Sequence, residues 1–551
     1  MFTSGFSNCS SSVASMETMA TVPALERENV SKRTRREAGW KRDGGAEIGR
    51  YGVMPVGNLM LDSAQCTREE YERLRVRALG LYFSALPDEL VLRVLGELTA
   101  ADLASFSVAS KMCYVYAHNH DLWRSLVFNT PFAAVAAPER EEQLSLSGLR
   151  FAENWKSTYM QTNASSRQSK VPGQTRPTVP VLGHKPREFY PVYSDVLFHA
   201  WKCFSSSIDP AWLHRSNIPH VAAEALGVDE FRIKFGKPNL PVVVENVTTQ
   251  WPAYHKWTRD YLIESSRGQR FNAGGYLFTM EEYFSYLDKV HDEQPLYLFD
   301  KAFVSRVPAW ENEFAVPEYF KSDLFKVLEG TSYRPDHQWL IIGGARSGST
   351  FHMDPNATSA WNAVIRGRKK WVLFPPDALP PGVVPNEDGS DVCSPVSVME
   401  WFLNFYASAT AMPECYETIC EEGDCLFVPQ GWWHIVLNLD DVNVAVTQNF
   451  ADPDHLVEVL LFLRTKSEKR ISGVRDELRG ALCDVFESEL QEHYPEEYRL
   501  ASARIEDFLS QSGIWKRLRR TAPENIRSET SEAAEPAKNQ TSAEFHFDFL
   551  Q

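Results

Sequence analysis

Cysteine is scarce in this sequence: nine among 551 residues, odd in number and scattered over positions 9, 66, 113, 203, 393, 415, 420, 425 and 483. That distribution excludes a disulfide-stapled scaffold and fits a reduced, intracellular chain. Basic charge is in deficit, with 57 Lys and Arg against 73 Asp and Glu and a net charge of −16. Binding nucleic acid through its phosphates needs a basic surface, so no direct nucleic-acid binding is expected. A protein substrate with basic side chains suits the balance better. Long apolar runs are missing too. The longest, around Val457–Leu463, falls far short of the roughly 20 residues that span a bilayer, so no membrane contact is expected. The Ser-rich start has neither a charged n-region nor an apolar h-region and gives no sign of a secretory signal. There are no internal repeats.

What is present divides the chain. A hydrophobic fraction of 43% and an aromatic fraction of 12% suit a globular core, and the length suggests two or three domains. Residues 1–82 lack sustained periodicity and are expected to be disordered. Their basic clusters, Lys32-Arg33-Thr34-Arg35-Arg36 and Lys41-Arg42, read as a nuclear-import signal or as a solvated tail, so a nuclear or nucleocytoplasmic location is expected. From Leu86 the pattern turns helical. Pro87 opens a helix whose first turn holds Asp88 and Glu89, where the helix dipole favours carboxylates. Leu90, Val91, Val94, Leu95 and Leu98 recur at helical spacing. Thr99-Ala100-Ala101-Asp102 resembles a capping box that starts a second helix. Leu86-Pro87-Asp88-Glu89-Leu90, Asp102-Leu103, Val108-Ala109-Ser110-Lys111 and Asp121-Leu122-Trp123 together resemble an F-box over 83–130. That resemblance implies a small all-α module docking on a Skp1-type adaptor of a cullin ubiquitin ligase.

A helical trailer and a Ser-, Gln- and Pro-rich linker are expected over 131–190. Short apolar runs follow, punctuated by Gly and Pro: Leu240–Val244, Gln338–Ile342, Lys370–Phe374, Cys425–Val428 and Asn443–Thr447. They predict a β-sandwich or barrel. Helical spacing returns at Leu456, Val459, Leu460 and Leu463 and again at Leu478, Leu482, Val485 and Phe486. Helices are expected over 456–512 and a disordered tail over 513–551.

His352-Met353-Asp354 places an imidazole and a carboxylate two positions apart, a spacing that on a strand puts both on one face. His434 is the best candidate for a third ligand. Two histidines and one carboxylate leave half of an octahedral shell open, the facial triad of non-haem iron oxygenases. Taken alone, a His-x-Asp pair occurs by chance in many chains and fits a surface or core role better. The surrounding sequence adds more. Arg346–Pro355, Thr358-Ser359-Ala360-Trp361-Asn362, Gly367-Arg368-Lys369-Lys370-Trp371, Leu373-Phe374-Pro375-Pro376, Val428-Pro429, Gly431-Trp432-Trp433-His434, Val436-Leu437-Asn438-Leu439 and Thr447-Gln448-Asn449-Phe450 closely resemble the Jumonji-C (JmjC) oxygenases. Within these they resemble the bifunctional arginine demethylase and lysyl hydroxylase (phosphatidylserine-receptor-like) subgroup.

That resemblance implies a mainly β catalytic domain over 191–455, a double-stranded β-helix (cupin-like barrel) with flanking helices. Its cofactors would be Fe(II), with 2-oxoglutarate and O2 as co-substrates. It implies His352, Asp354 and His434 as metal-binding and catalytic residues. Lys369 would pair with the far carboxylate of 2-oxoglutarate, Thr447 and Tyr297 would bond the same carboxylate, and Asn362 would be a polar neighbour. Without the resemblance, Lys369 could belong to a solvated basic turn, and Thr447 and Tyr297 would be ordinary strand residues. Thr350, Phe351 and the loop from Pro376 to Pro395 depart from the family pattern, and all lie where a substrate could approach. The resemblance puts hydroxylation of a lysine side chain first and demethylation of N-methyl arginine or lysine second. A different class of reading is an F-box adaptor whose JmjC domain only binds targets. The tryptophans at 361, 371, 432 and 433 read as core and pocket wall. Cys415, Cys420 and Cys425 read as buried thiols, their spacing being wide for a zinc site.

Overall fold

The computed structural model describes residues 68–128, 150–168, 195–385, 392–393 and 397–521. The two basic clusters, most of the expected linker and most of the expected tail lie outside them.

Five helices come first: α1 (Arg68–Ser84), α2 (Asp88–Gly96), α3 (Ala100–Ser107), α4 (Lys111–Ala117) and α5 (His120–Val127). Three start on a side-chain cap, because the first N–H groups of a helix lack partners. The Thr99 hydroxyl accepts from the Asp102 N–H at 3.3 Å, Ser110 from Cys113 at 3.0 Å and the Asn119 side chain from Asp121 at 2.9 Å. α1 corrects the disordered segment expected over 1–82. Its described apolar contribution is small, Ala78 and Leu79, and Arg75 fastens it to the carbonyls of Ser84 and Leu86 and to Asp88. α2 also turns differently from the expected stripe. It buries Val91, Leu92 and Leu95, while Leu90 and Val94 stand 42% and 43% exposed. α6 (Trp155–Gln168) runs into the segment expected as linker, anchored by the fully buried Trp155.

Among the described residues fifteen strands follow. The first six are β1 (His220–Ala222), β2 (Val242–Glu245), β3 (Phe271–Ala273), β4 (Tyr276–Phe278), β5 (Leu298–Asp300) and β6 (Gln338–Gly343). Next come β7 (Gly348–His352), β8 (Ser359–Arg366), β9 (Lys369–Phe374), β10 (Val384–Pro385) and β11 (Val392–Cys393). The last four are β12 (Tyr416–Cys420), β13 (Cys425–Val428), β14 (Trp433–Asn438) and β15 (Asn443–Phe450). A nine-stranded sheet has the order β1-β2-β13-β8-β15-β6-β5-β3-β4, and a four-stranded one the order β12-β9-β14-β7.

Strand alternation sorts the core into layers. Val243, Ala360, Val364, Leu426 and Val428 of the large sheet meet Trp371, Leu373 and Val436 of the small one. The intervening residues point outward. Val372, Phe374, Ile435 and Leu437 pack under α7 (Val398–Asn404) through Val398, Trp401 and Phe402. Val242, Trp361, Ala363, Phe427 and Val446 belong to a second outer core, which runs on without a break into the N-terminal helices. At that junction Phe128 stacks on Tyr276 with ring centroids 4.1 Å apart, and Phe151 meets Tyr286 at 5.0 Å. Asp292, 3% exposed, ties the parts together. It accepts from Trp155 Nε1 and the Tyr286 hydroxyl, both at 2.8 Å, and lies 2.9 Å from His120 Nδ1. Behind the sandwich, α8 (Leu456–Thr465), α9 (Arg479–His493) and α10 (Pro495–Thr521) close a third core around Leu460, Leu482 and Phe486. α10 runs past the boundary expected at 512.

Candidate metal and co-substrate site

β7 and β14 are antiparallel neighbours with His352 opposite His434, so the two imidazoles lie side by side, ring centroids 4.1 Å apart. Two local features set this register. The ladder shifts between His434 and Val436, a bulge that re-aims side chains. Opposite it, Gly348 at φ 150 lets the strands approach so closely that a Cβ there would sit 1.9 Å from the Val436 carbonyl. Asp354 arrives by another route than expected. β7 ends at His352, and Pro355 and a short turn follow Asp354. The carboxylate therefore enters from a turn rather than from the strand face. Even so, one ligand atom from each of His352, Asp354 and His434 lies within 4.8 Å of the others.

The three groups are prepared for a cation. His352 Nδ1 is 2.7 Å from the Thr350 carbonyl and His434 Nδ1 is 3.1 Å from the Trp432 carbonyl. An Nδ1–H held by a carbonyl fixes the tautomer in which Nε2 is the ligating atom. Burial pushes both imidazoles down to about 4, the neighbouring His434 adding to the effect on His352. Both are thus neutral near pH 7. Burial raises the Asp354 carboxyl, opposed by His352 and a bond from Asn449. Its Oδ2 is buried with no protein partner. An orphaned carboxylate oxygen beside two neutral imidazoles fits a divalent cation, which would offset the cost of burying that charge.

Lys369 opens β9 opposite Asn438 of β14 and Cys420 of β12. Its ammonium donates to Asn438 Oδ1 at 2.8 Å and to the Tyr297 hydroxyl at 3.0 Å. The residue is fully buried, and burial pulls its pKa down to about 7. No carboxylate among the described residues pairs with it, so an anion brought beside it would offset the cost of burying this charge. Thr447 and Asn362 face each other across β15 and β8. The Thr447 hydroxyl donates to the Trp361 carbonyl at 2.8 Å, whereas Asn362 Oδ1 is buried and unpartnered. Thus Lys369 and Tyr297 touch directly, while Thr447 and Asn362 form a separate pair on the large sheet.

Asn438 is the residue that sequence reasoning missed. It holds Lys369 and is itself held, its Nδ2 donating to Ser347 Oγ at 2.8 Å. The available signal was its place on a strand, an even number of residues past His434 and therefore on the same face. Of the two departures from the family pattern, Phe351 points away from the site, packing on Trp401 at 4.9 Å. Thr350 lies where the β7 register shifts between Ser349 and His352, and its carbonyl is the one 2.7 Å from His352 Nδ1.

The family model for a cupin-like domain matches residues 228–455, and that for an F-box-like region matches 83–129. The arginine-specific demethylase JMJ22 of Arabidopsis thaliana is 41% identical over 448 residues, covering 81% of this chain and 82% of that one. The bifunctional arginine demethylase and lysyl-hydroxylase psr-1 of Caenorhabditis elegans is 36% identical over 257 residues, 44% of this chain and 63% of its own length. The human 2-oxoglutarate and iron-dependent oxygenase JMJD4 is 28% identical over 287 residues, 46% of this chain and 67% of its own. The chain belongs to the cupin-like JmjC oxygenases, enzymes that use iron, 2-oxoglutarate and O2, and it carries an F-box-like region ahead of the catalytic domain. Among the described residues no helix is long and apolar enough to cross a membrane.

Proposed function

We propose that His352, Asp354 and His434 hold Fe(II), that Lys369 and Tyr297 receive the far carboxylate of 2-oxoglutarate, and that the chain oxidises a C–H bond on a basic side chain of a protein. The observation that carries this reading is a pair of buried groups whose charge is not offset among the described residues: an orphaned carboxylate oxygen beside two neutral imidazoles, and an ammonium that meets only neutral oxygens. Bound metal and keto acid would supply the oxidation of one C–H bond by O2, with 2-oxoglutarate decarboxylated to succinate. The chain's residues do the rest. Asn438 aims Lys369, Asn362 and Thr447 offer polar atoms from the facing sheet, and Trp371 and Trp432 help wall off water.

Hydroxylation of a lysine carbon is the first product. Demethylation of N-methyl arginine is the second reading, favoured by the likeness to JMJ22, which spans most of both chains. There, hydroxylation of the methyl group yields a carbinolamine that releases formaldehyde. A domain that only binds targets would not need all three ligand residues and the buried lysine together. Mass spectrometry of lysine- and methylarginine-containing peptides, incubated with iron and 2-oxoglutarate, separates the products. A gain of one oxygen marks hydroxylation and a loss of one methylene marks demethylation. Neither change, with a folded and metal-loaded chain, would sink the reading.

For the N-terminal helices we propose docking on a Skp1-type adaptor. Leu81, Tyr82, Leu90, Val94 and Val108 are exposed apolar side chains around α1–α3, Tyr82 at 85%, more than a self-contained surface needs. The F-box, catalytic and C-terminal boundaries near 83–130, 191–455 and 456–512, and a nuclear location, belong to the same proposal.

A further inference from the structure

The turn that carries Asp354 is held by a part of the chain outside the two sheets. Asn356, 3% exposed, makes a reciprocal pair with the backbone of Ser472. Its Nδ2 donates to the Ser472 carbonyl at 2.9 Å, and its Oδ1 accepts from the Ser472 N–H at 3.0 Å. Asn356 and Ala357 adopt φ of 54 and 53 in succession, a left-handed conformation that non-glycine residues hold only when their surroundings impose it. Between Asn356 and Asp354 stands Pro355 alone, whose ring locks φ. A shift at Asn356 is therefore passed to the carboxylate rather than absorbed.

Ser472 lies between α8 and α9, and its neighbours are fixed as well. Ile471 is 3% exposed in the C-terminal core. The Gly473 carbonyl accepts from the Asp336 N–H at 2.8 Å, and a Cβ on Gly473, at φ 79, would sit 2.8 Å from that nitrogen. On its other side the turn is tied to the large sheet. The Thr358 hydroxyl donates to the Pro355 carbonyl at 2.8 Å and accepts from Asn449 of β15 at 3.0 Å. The large sheet supplies one half of the grip and the C-terminal helical unit the other.

We infer that Asn356 and the segment Ile471–Gly473 form a positioning clamp on Asp354, so that the C-terminal helices complete the metal centre. The inference rests on the reading of His352, Asp354 and His434 as metal ligands. Groups that orient a ligand from behind set metal affinity by about 10–100-fold. The full chain, freed of metal, is titrated anaerobically with Mn(II), bound and free ion being followed by electron paramagnetic resonance. Melting of the metal-free protein is measured in parallel. Asn356→Ala and Asn356→Gly are each expected to raise the Mn(II) Kd by about 10–100-fold. Gly473→Ala, which pushes the same segment from its far side, is expected to act in the same direction. A role confined to holding the helices in place would lower the melting temperature and leave the Kd of the folded protein unchanged. That result in the Asn356 variants overturns the clamp. So does a normal Kd in Asn356→Gly with a weakened one in Asn356→Ala, because backbone strain alone would then account for the effect. If Asn356→Ala does not fold, Asn356→Gly and Gly473→Ala decide on the same readout. His352→Ala separates the two levels: undiminished Mn(II) binding there removes the triad reading itself, whereas its loss beside normal binding in the Asn356 variants removes the clamp alone.

Discussion

Lys369 is a fully buried amine facing two neutral oxygens, and that imbalance has measurable consequences. Its pKa stands at about 7 rather than the usual 10.5, so above pH 7 the ligand-free folded chain has shed a proton that the unfolded chain keeps. The unfolded state then binds more protons, and this group's contribution makes stability rise with pH across that window. A carboxylate arriving beside the amine restores the charged form. Calorimetry at about pH 8, in buffers of differing ionisation enthalpy, should show proton uptake on 2-oxoglutarate binding. Lys369→Met should abolish the uptake and raise the KM for 2-oxoglutarate by roughly 30-fold or more, from losing about 2 kcal/mol or more of a buried charge pair. Metal affinity should not change, and equal proton uptake in the variant would refute the assignment. At the metal, His352→Ala should cost succinate production more than the about 100-fold that an outer-shell change costs. At this scale the sequence supplied candidates without an arrangement. His-x-Asp read as one strand face, yet Pro355 ends the pairing and Asp354 reaches the same space from a turn. Asn438 drew no role because its partner, Lys369, starts another strand 69 residues away.

At the scale of elements, the small sheet depends on both of its faces. Outward from the site, Lys370 and Glu417 are completely buried and 2.6 Å apart, with the Tyr406 hydroxyl donating to the same carboxylate at 2.8 Å. Glu417→Ala leaves a buried ammonium unpaired and should cost about 3–5 kcal/mol in denaturant unfolding. Within the ladder itself, Gly348→Ala puts a methyl group where the Val436 carbonyl lies. It should destabilise by roughly 3 kcal/mol or more and weaken Mn(II) binding, since it parts the strands that carry His352 and His434. A variant with normal unfolding would show that the register tolerates the change. The strands β6, β9, β13 and β15 were legible as short apolar runs because each is buried on both faces. β12 was not, since Tyr416-Glu417-Thr418-Ile419-Cys420 mixes charge and apolar residues, and its glutamate is buried against Lys370, with Arg215 and the Tyr406 hydroxyl beside it. Pattern reading scores residues singly and cannot credit such a pair.

The whole molecule depends on a junction that the sequence showed least. α1 reads as a charged segment because its anchors are contacts with the rest of the fold, among them Ala78, Leu79, the Arg75 bonds and the Phe83 ring 5.6 Å from that of Phe106. The inner face of α2 was read only in part: Val91 and Leu95 are buried as expected, but Leu92 is buried in place of Leu90 and Val94, which fit the helical spacing as well as Leu92 does. Only packing against α5 and the catalytic domain decides between them. The exposed pair gives a direct test. Leu90→Glu combined with Val94→Glu should abolish capture of a Skp1-type adaptor while shifting stability by no more than about 0.5 kcal/mol per site, as expected for surface positions. Unimpaired capture would remove this face as the docking surface. Asp292→Ala, by contrast, strips partners from Trp155 and Tyr286, and should speed hydrogen exchange through α5 and α6 with little change in Mn(II) affinity.

The stacking of Phe128 on Tyr276 and of Phe151 beside Tyr286 also decides how the two activities can be dissected. Cutting away the leading helices would not yield a bare oxygenase. It would strip a sheet edge of its covering and present several large aromatic rings to water, inviting self-association. Any loss of turnover in such a fragment would report a wounded surface rather than a missing ligase, so separating the two roles calls for single-residue changes on the outer face.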